Sequence, residues 1–479
     1  MKTATATATA TADQRYINDV LAIAMNMSSQ SNNDPFRPAW HFAPQFGLLN
    51  DPNGLAHFNG EFHLFYQWNP KACQHGAKAW GHATSKDLIN WSHQPLALAP
   101  TEHYETHGCY SGSGLVVDGK LELFYTGNVK FEQGGRTAYQ CRATLEAGKQ
   151  VKKQGIVLSL PEGYSGHVRD PKVWQYQDAF YMVLGAEDLN YRGKVLAYRS
   201  NDLNNWEMIG EIFGDGVGNQ QSDDFMLECP DLFPLADKHV LITCPKNWID
   251  MGGKKVETFD VTYHIGDFDH QTATFEHSNG VLMDNGFDFY APQTFEDESG
   301  RRILFGWMGK PDEFEPYQPT IELGWIHQMT CARELTIRNN TLIQTPVKEL
   351  ESLRQDQQDF TGLKQQFTGL SAELVLENLE GADIKLEIAN DCYIESNQTG
   401  LVTRRKNLKT AEWESIAWQG TVSSLRLLRD HSSVEAFING GIAVSTSRFF
   451  GLGQGEEKNV GFALTSQKEI TATHWQLSA

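Results

Sequence analysis

A strand-rich unit recurs five times in this chain, and this repeat constrains the fold more than any other feature. Each unit starts at a lead residue and continues into two runs of alternating apolar residues, which is the pattern of a β-hairpin. The lead residues are Asp51, Ser111, Asp170, Glu228 and Tyr290, separated by steps of 60, 59, 58 and 62 residues. A steady period of strand-rich sequence predicts radial or linear repetition.

Turn residues separate the two strand-like runs within each unit. In the first unit, Asn59-Gly60 lies between the apolar runs 55–58 and 62–68. Asn-Gly at such a place predicts a hairpin, because both residues tolerate the positive φ of a type I′ turn. The other units have their predicted turns at Asp118-Gly119, near Gln177-Asp178, near Ala236-Asp237 and at Ser299-Gly300.

Five such units predict a five-bladed β-propeller, because each has room for about four strands and four strands form one blade. The predicted propeller occupies residues 38–347, after an N-terminal tail and a short helix in residues 1–37. Equivalent positions of successive blades face a common axis. The repeat therefore predicts that Asp51, Asp170 and Glu228 converge, although they lie far apart in the sequence.

The C-terminal part of the chain has a different pattern. Residues 348–359 are charged and are predicted to form a linker, while residues 360–479 contain alternating strands without a lead carboxylate. Such strands predict a β-sandwich, which we expect to brace the propeller or to mediate association. The predicted fold class is all-β, a five-bladed β-propeller followed by a C-terminal β-sandwich.

Composition limits the kinds of partner. The net charge of −20 argues against nucleic acid and anionic membranes as partners. The seven cysteines are odd in number and show no CxxC spacing, which indicates reduced thiols in a cytoplasmic protein. The 16 histidines include no HExxH, so no metal site is predicted. The Ala/Thr-rich N-terminus is a poor secretion signal and is predicted to be a disordered tail.

Three carboxylates are predicted to carry the chemistry. Asp51 lies near Asn50 and Asn53, polar groups that we expect to keep it ionised. Glu228 lies in an apolar stretch, which we expect to raise its pKa. Two carboxyls whose pKa values differ in this way can act as nucleophile and acid in glycoside cleavage. Asp170 follows an arginine and is expected to stay charged, where it could stabilise a cationic transition state.

Aromatic residues near the lead turns favour a carbohydrate ligand, because sugars present apolar CH faces as well as hydroxyl edges. The residues in this group are Trp40, Trp68, Trp80, Tyr110, Tyr290 and Trp307. Trp91, Trp174 and Trp206 lie in the outer-strand pattern and are predicted to pack between blades.

The chain resembles a known family through the order and spacing of its motifs. The motifs are NDPNG at 50–54, YSGS at 110–113, RDPKVW at 169–174, ECPDLF at 228–233, DFYAPQTF at 288–295 and GWM at 306–308. Together they closely resemble glycoside hydrolase family 32, and LLRDHSSVEAFING at 427–440 extends the similarity into the C-terminal part. The resemblance implies a five-bladed propeller plus sandwich, and retaining hydrolysis of β-fructofuranosides without a metal or other cofactor.

The resemblance also implies roles for individual residues. Asp51 would be the nucleophile, Glu228 the acid/base and Asp170 the transition-state stabiliser. Cys229 would lie beside the acid/base and tune it. The residues implied for the fructosyl subsite are Asn50, Gln67, Tyr110, Ser111, Arg169, Tyr290 and Trp307.

The chain departs from the family pattern at a few positions near the sugar site. Leu48-Leu49 replaces Trp-Met, Tyr110 replaces Phe, and His75 stands where a Trp is frequent. The leaving group therefore stays open between glucose and glucose 6-phosphate. Cations in predicted loops that could bind a phosphate are Lys71, Lys78, Arg136, Lys246 and Lys310.

The predicted function is hydrolysis of sucrose or sucrose 6-phosphate. The alternatives are a fructan hydrolase or fructosyltransferase on the same fold, and a non-catalytic sugar-binding propeller. The expected partner is a small-molecule sugar, and the expected oligomeric state is a monomer or a homodimer.

Overall fold

A computed structural model of the chain describes residues 12–27, 34–250, 252–451 and 459–478. The predicted N-terminal helix is confirmed as α1, Ala12–Met27. The predicted disordered tail falls mainly on residues 1–11, which lie outside the described residues. In the described part of the chain, no helix is both long and apolar enough to cross a membrane.

Blades I to III are four-stranded antiparallel sheets that follow one another along the chain, with one further short strand added to blade I. Blade I contains β1 (Gly47–Phe58), β2 (Glu61–Asn69), β3 (Ala79–Ser85) and β4 (Trp91–His93). Blade II contains β5 (Cys109–Val117), β6 (Lys120–Lys130), β7 (Arg136–Glu146) and β8 (Lys152–Leu158). Blade III contains β9 (Tyr164–Tyr176), β10 (Ala179–Asp188), β11 (Gly193–Ser200) and β12 (Glu207–Gly214).

Blades IV and V carry additional short strands. Blade IV contains β13 (Met226–Leu235), β14 (Lys238–Lys246), β17 (Thr262–Asp269), β18 (Thr274–His277) and β19 (Val281–Leu282). A separate hairpin, β15 (Trp248–Asp250) and β16 (Lys255–Glu257), projects from it. Blade V contains β20 (Tyr290–Glu296), β21 (Arg302–Met308), β23 (Gln328–Met329), β24 (Arg333–Arg338) and β25 (Thr341–Pro346). The predicted five-bladed propeller is confirmed.

The predicted hairpin turns are found in every blade. Asn59-Gly60 and Asp118-Gly119 have positive φ at both residues, as type I′ turns require. Gln177, Ala236 and Gly300 also have positive φ at the predicted turns of the other three blades. The turn residues of the sequence therefore determine where the first hairpin of each blade turns.

The lead residue of each blade lies in a β-bulge near the start of the inner strand. The register of the inner hairpin shifts between Leu49 and Pro52 in blade I, and between Tyr110 and Gly112 in blade II. In the other three blades the register shifts across Asp170 or directly after Glu228 and Tyr290. A bulge re-aims a side chain out of the strand pattern. The same β-bulge occurs in all five blades and directs the lead side chains towards the common axis of the propeller.

The ring of blades is closed by a short strand that lies between two strands of blade V in the sequence but pairs with blade I. Strand β22 (Trp325–Ile326) pairs in parallel with the start of β1, with Gly47 opposite Trp325. The backbone N–H of Gly47 also donates to the carbonyl of Gly324 at 2.8 Å. Blade I is therefore complete only when the segment after β21 has been added to it.

Blades I and III contain the same outer turn. Asp87 accepts from the backbone N–H of Ile89 and Asn90, and Trp91 donates from Nε1 to the Leu88 carbonyl. The turn from Ser200 to Trp206 has the same bonds, with Asp202 in the place of Asp87. The predicted packing of Trp91, Trp174 and Trp206 between blades is confirmed by their ring contacts with Phe305, Phe268 and Phe124 of neighbouring blades.

The C-terminal part begins with a 3₁₀ helix at Lys348–Leu353, and β26 starts at Arg354, inside the segment predicted to be a linker. Its strands are β26 (Arg354–Thr368), β27 (Ala372–Glu377), β28 (Ile384–Ala389), β29 (Cys392–Asn397), β30 (Gly400–Lys406), β31 (Trp413–Gln419), β32 (Leu425–Asp430), β33 (Ser433–Ile438), β34 (Ala443–Arg448) and β35 (Val460–Leu477).

The long strands β26 and β35 belong to both layers of the predicted β-sandwich, which is confirmed. The first half of β35 pairs with β28, and its second half pairs with β27. One layer continues from β28 to β31, and the other from β27 through β32 to β34. Leu386 and Ile394 of the first layer share one apolar core with Leu374 and Leu427 of the second.

Buried charges join the sandwich to the propeller. Arg333 of blade V donates to Glu435 of β33 at 2.6 Å and lies 3.2 Å from Asp284. His41 contacts Asp430 at 2.9 Å and Glu435 at 3.0 Å. All of these side chains are excluded from water, so each depends on its partners to offset the cost of burying charge.

We predict that Arg333→Met lowers the free energy of unfolding by about 3–5 kcal/mol, because it removes the guanidinium that pairs with the buried carboxylates of Glu435 and Asp284. The midpoint of urea denaturation measures the loss. Lys238→Met is the matched control, since Lys238 pairs with Asp267 at the surface and should contribute less than about 1 kcal/mol. Equal effects of the two substitutions would contradict a stabilising role for the interface charges.

Candidate active site

A cavity of about 530 Å³ opens where the inner strands begin, and all five blades contribute to its wall. The residues predicted for the site all line it: Asn50, Asp51, Gln67, Tyr110, Ser111, Arg169, Asp170, Glu228, Cys229, Tyr290 and Trp307. A larger cavity of about 910 Å³, lined by blades III and IV, contains none of these residues. Within the described residues, no group of His, Cys, Asp or Glu side chains is arranged to hold a metal ion.

Asp51 is held by donors from two blades. Asn50 donates from Nδ2 to Oδ1 at 2.9 Å, and the Ser111 hydroxyl donates to Oδ2. Burial raises the pKa of Asp51, while the bonds from Ser111 and Asn50 act in the opposite direction. The expected polar neighbour Asn50 thus favours the ionised form of Asp51, but burial outweighs these bonds in the net direction of the pKa. Asn53 is not one of the donors: its Nδ2 has no hydrogen-bond partner among the described residues, and its Oδ1 accepts from the Gly112 N–H.

Asp170 is fixed by the Thr126 hydroxyl of blade II and by the backbone of blade IV. Its N–H donates to Thr126 at 3.0 Å, and its Oδ2 accepts from the N–H of Cys229 at 3.0 Å. Burial raises the pKa of Asp170 to about 7; Arg169 opposes this shift and Glu228 adds to it. The prediction that Asp170 stays charged beside Arg169 is wrong, because burial outweighs the effect of Arg169, whose Nε lies 3.8 Å from Asp170 Oδ2.

Glu228 receives the strongest cationic contacts of the site. Arg169 Nη2 lies 2.5 Å from Oε1, the Tyr290 hydroxyl donates to Oε2 at 2.6 Å, and Lys246 Nζ lies 3.6 Å from Oε2. Burial raises the pKa of Glu228, but Arg169, Lys246 and the Tyr290 bond outweigh burial and bring it to about 2. The expected raised pKa is therefore wrong for the protein without ligand.

Cys229 lies between the carboxylates. Its Sγ is 3.9 Å from Asp51 Oδ2 and 3.7 Å from Asp170 Oδ2. Its backbone has a positive φ of 46°, which belongs to the bulge beside Glu228. The thiol thus separates the two negative groups with an apolar, polarisable atom, and its backbone N–H orients Asp170.

Three of the six aromatic residues predicted near the sugar line the cavity, namely Tyr110, Tyr290 and Trp307. Trp40, Trp68 and Trp80 belong to the core instead, which corrects the prediction for them. Trp68 donates to the Phe46 carbonyl and Trp80 to the Tyr110 carbonyl. Sequence position near a turn did not distinguish ring faces that point into a cavity from rings that pack between strands.

Unsatisfied polar atoms face the same cavity. Asn50 Oδ1, Trp307 Nε1 and Lys78 Nζ are buried, and none has a hydrogen-bond partner among the described residues. Buried polar atoms are normally paired, because leaving one without a partner costs about 1–3 kcal/mol. These atoms are therefore available to a ligand.

His75, which stands where a Trp is frequent in the family pattern, lies at the mouth of the cavity. Its Nε2 contacts Glu315 at 3.0 Å, and its ring meets Trp307 edge-on at a centroid distance of 6.1 Å. Glu315 also contacts His327 at 2.7 Å. At this point of the cavity mouth the chain therefore has a polar ring held by a carboxylate.

Of the predicted phosphate-binding candidates, the cavity wall contains Lys78 and Lys246. Lys71, Arg136 and Lys310 are not part of this wall; Lys71, for example, contacts Asp19 of α1 at 3.4 Å. Lys130 and His107 line the cavity and were not identified from the sequence. They carry no motif, and only the pairing of β5 with β6 brings their parts of the chain together.

Comparison with known proteins decides the family. Residues 41–346 match the glycosyl hydrolases family 32 N-terminal domain, and residues 349–477 match the family 32 C-terminal domain. The chain belongs to glycoside hydrolase family 32. It is therefore an enzyme of the glycoside hydrolase class.

Several relatives of this family 32 enzyme match almost the whole chain. A sucrose-6-phosphate hydrolase of Klebsiella pneumoniae is 48% identical over 431 residues, which are 90% of this chain and 92% of the relative. A sucrose-6-phosphate hydrolase of Bacillus subtilis strain 168 is 39% identical and covers 93% of this chain and 95% of its own.

Solved structures of the family share the fold. The sucrose-6-phosphate hydrolase from Lactobacillus gasseri has a TM-score of 0.85 at 29% identity and covers 98% of this chain and 99% of its own. A Bombyx mori family 32 β-fructofuranosidase mutant in complex with sucrose has a TM-score of 0.82 at 28% identity, with 97% and 99% coverage.

Proposed function

We propose that this family 32 enzyme hydrolyses the β-fructofuranosidic bond of sucrose and sucrose 6-phosphate, with retention of configuration at the anomeric carbon. The observation that carries the proposal is the convergence of Asp51, Asp170 and Glu228 in one cavity together with the motifs of the family. Retaining hydrolysis needs a nucleophilic carboxylate and an acid/base carboxyl. The cavity supplies both, and a third carboxyl beside them.

In the first step, Asp51 attacks the anomeric carbon of the fructosyl group and forms a covalent ester. Glu228 donates a proton to the glycosidic oxygen as the bond to glucose breaks. The bonds from Asn50 and Ser111 hold the Asp51 carboxylate in one orientation, so little reorganisation is needed before attack. Asp170 lies beside the developing positive charge of the fructosyl ring and stabilises it.

In the second step, Glu228 takes a proton from water, and the water oxygen attacks the anomeric carbon. The ester bond breaks and the Asp51 carboxylate is restored. Formation of the ester removes one negative charge from the cavity, which lowers the pKa of Glu228. The ammonium group of Lys246, 3.6 Å from Glu228, also favours the ionised form that a general base requires.

The first step needs a protonated Glu228, although cations lower its pKa in the protein without ligand. We propose that the bound fructosyl group accepts hydrogen bonds from Arg169 and so weakens the contact between Arg169 and Glu228. Asn50 Oδ1 and Trp307 Nε1, which have no partner in the described part of the chain, take sugar hydroxyls as partners. Binding of the sugar thereby favours the protonated acid.

We further propose that the enzyme works in the cytoplasm. All seven cysteines are unpaired, and thiols persist in a reducing compartment. A monomer or a homodimer remains the prediction for the oligomeric state.

We predict that Asp51→Asn lowers kcat for sucrose by roughly 10⁴-fold or more, because an amide cannot form the ester intermediate. Glu228→Gln should lower kcat for sucrose by about 10²- to 10⁴-fold. On an aryl β-fructofuranoside, whose leaving group needs no proton, the kcat/KM of Glu228→Gln, which reports the first step, should fall far less, while its kcat stays low because the second step still needs a base; Asp51→Asn stays inactive. Steady-state kinetics of both variants on both substrates measure this difference.

Sucrose, sucrose 6-phosphate and inulin are compared with the wild-type enzyme in the same assay, and the anomeric configuration of the first product is followed by NMR. Inulin as the best substrate would favour a fructan hydrolase. Inversion at the anomeric carbon, or no hydrolysis of any of the three, would refute the proposal.

We predict that Lys246→Met shifts the basic limb of the pH profile of kcat, which reports the enzyme–substrate complex, to higher pH. The positive charge of Lys246 lowers the pKa of Glu228, so its removal raises that pKa and the acid keeps its proton to higher pH. Lys238→Met, which changes a surface pair, should leave the profile in place. A basic limb that stays fixed or moves to lower pH would contradict the assignment of Glu228 as the acid.

A further inference from the structure

Lys78 is a buried lysine in the wall of the catalytic cavity, and nothing in the described part of the chain bonds its ammonium group. The residue is 4% exposed, and Nζ has no hydrogen-bond partner among the described residues. Burial lowers the pKa of Lys78 to about 7, although Glu315 and Asp51 act in the opposite direction. A buried ammonium without a partner is costly, so a ligand that supplies an acceptor would relieve that cost.

Backbone hydrogen bonds place Lys78 next to two other nitrogen-bearing side chains of the cavity. The Lys78 carbonyl accepts from Cys109 N–H at 2.9 Å. His107 N–H donates to the Asn128 carbonyl at 2.9 Å, which brings His107 beside the end of β6. The Lys130 N–H, two residues further on, donates to His107 Nδ1 at 3.1 Å. The three residues are therefore adjacent on the side of the cavity formed by blades I and II.

The close approach of these segments depends on Gly108. Its φ is +129°, and a Cβ at this position would lie 2.9 Å from the backbone nitrogen of Lys78. A larger residue would both strain the backbone and push the segment of Lys78 away from that of His107. The arrangement is thus fixed by the main chain.

His107 presents a hydrogen-bond donor. Because Nδ1 accepts from the Lys130 backbone, the neutral ring carries its proton on Nε2. Lys130 is exposed at the mouth of the cavity. Lys78, His107 and Lys130 together offer donors at successive depths, from the buried wall to the rim.

The charge of the cavity differs from that of the whole protein. The chain has a net charge of −20, yet its cavity is lined by Lys78, Lys130, Arg169 and Lys246 against Asp51, Asp170 and Glu228. Arg169 and Lys246 contact carboxylates, namely Glu228 and Glu257. On the side of blades I and II, Lys78 and Lys130 form no ion pair with any of the described residues.

We propose that Lys78, His107 and Lys130 form a phosphate subsite that binds the 6-phosphate of the leaving glucosyl group. The inference rests on the proposed function, since it assigns the substrate class to the same cavity. A phosphate dianion suits these groups better than a neutral hydroxyl, because it offers several strong acceptor oxygens and balances two ammonium charges. Asp51 acts electrostatically on Lys78, and Lys130 is exposed at the mouth of the cavity, so these donors follow the wall from the nucleophile towards the rim, where we place the leaving group.

The test measures kcat/KM for sucrose 6-phosphate and for sucrose with the wild type, Lys78→Met and Lys130→Met. The wild type is expected to prefer the phosphorylated sugar. Each substitution is expected to lower the ratio of the two kcat/KM values, by roughly 10- to 100-fold for Lys78→Met, as loss of a charged hydrogen bond predicts. Inorganic phosphate should inhibit hydrolysis of sucrose by the wild type and inhibit both variants less.

Lys246→Met is the matched control, because it removes a cation from the opposite side of the same cavity. It should change kcat/KM for both sugars by the same factor and leave the ratio unchanged. Lys78→Met replaces an unpartnered buried charge with an apolar chain of similar length, so its melting temperature should equal or exceed that of the wild type. This measurement separates a binding effect from a loss of folding.

The outcomes are distinguishable. Equal losses on both sugars in Lys78→Met and Lys130→Met, or a wild type without preference for sucrose 6-phosphate, would overturn the phosphate subsite and leave the glycosidase assignment intact. A wild type that hydrolyses neither sugar would overturn the proposed function and the subsite with it.

Discussion

The β-bulge near the start of each inner strand is the constraint on which the site depends. An inner strand of regular pleat would turn successive side chains to its two faces, and those faces pack against other blades. The shift of register beside Asp51, Asp170 and Glu228 releases these side chains from that alternation. Backbone groups freed by the irregular pairing then orient neighbours, as the Cys229 N–H does for Asp170. The same local irregularity therefore both exposes the carboxyls to the cavity and fixes them in place.

The fold and the convergence of the carboxyls could be predicted because both follow from periodicity and turn chemistry, which are local properties of the sequence. The ionisation of the site could not. Arg169 is adjacent to Asp170 in sequence, yet its guanidinium contacts Glu228, 59 residues away, and this choice reverses the expected pKa order. The positions of Trp40 and Trp68 show the same limit, since a ring near a lead turn can face either the cavity or the core. Contacts between blades, rather than sequence neighbours, decide these properties.

The buried charges of this protein differ in whether they have a partner of opposite charge. Between propeller and sandwich, Arg333 and His41 meet Glu435, Asp284 and Asp430, so the cost of burial is offset within the chain. In the cavity, Lys78 is buried without such a partner in the described residues. The segment 427–440, which resembles a recurrent part of the family, contains both Asp430 and Glu435. The similarity of this segment to the family is explained by its contacts at the interface between propeller and sandwich. Polar atoms without a partner in the described residues instead lie at the cavity, where we propose that the ligand binds.

The parallel pairing of β22 with β1 has a consequence for biosynthesis. The first blade leaves the ribosome early, but its Gly47 edge must wait for Trp325, and at about 5–20 residues per second that delay lasts on the order of 15–60 s. During this interval the nascent chain holds an open arc of blades with an unpaired backbone edge at its beginning. Such an edge can pair with other strands. Chaperone binding to the emerging chain would therefore have its greatest effect before the segment that follows β21 is translated, and shortened chains that end before it would be prone to aggregate.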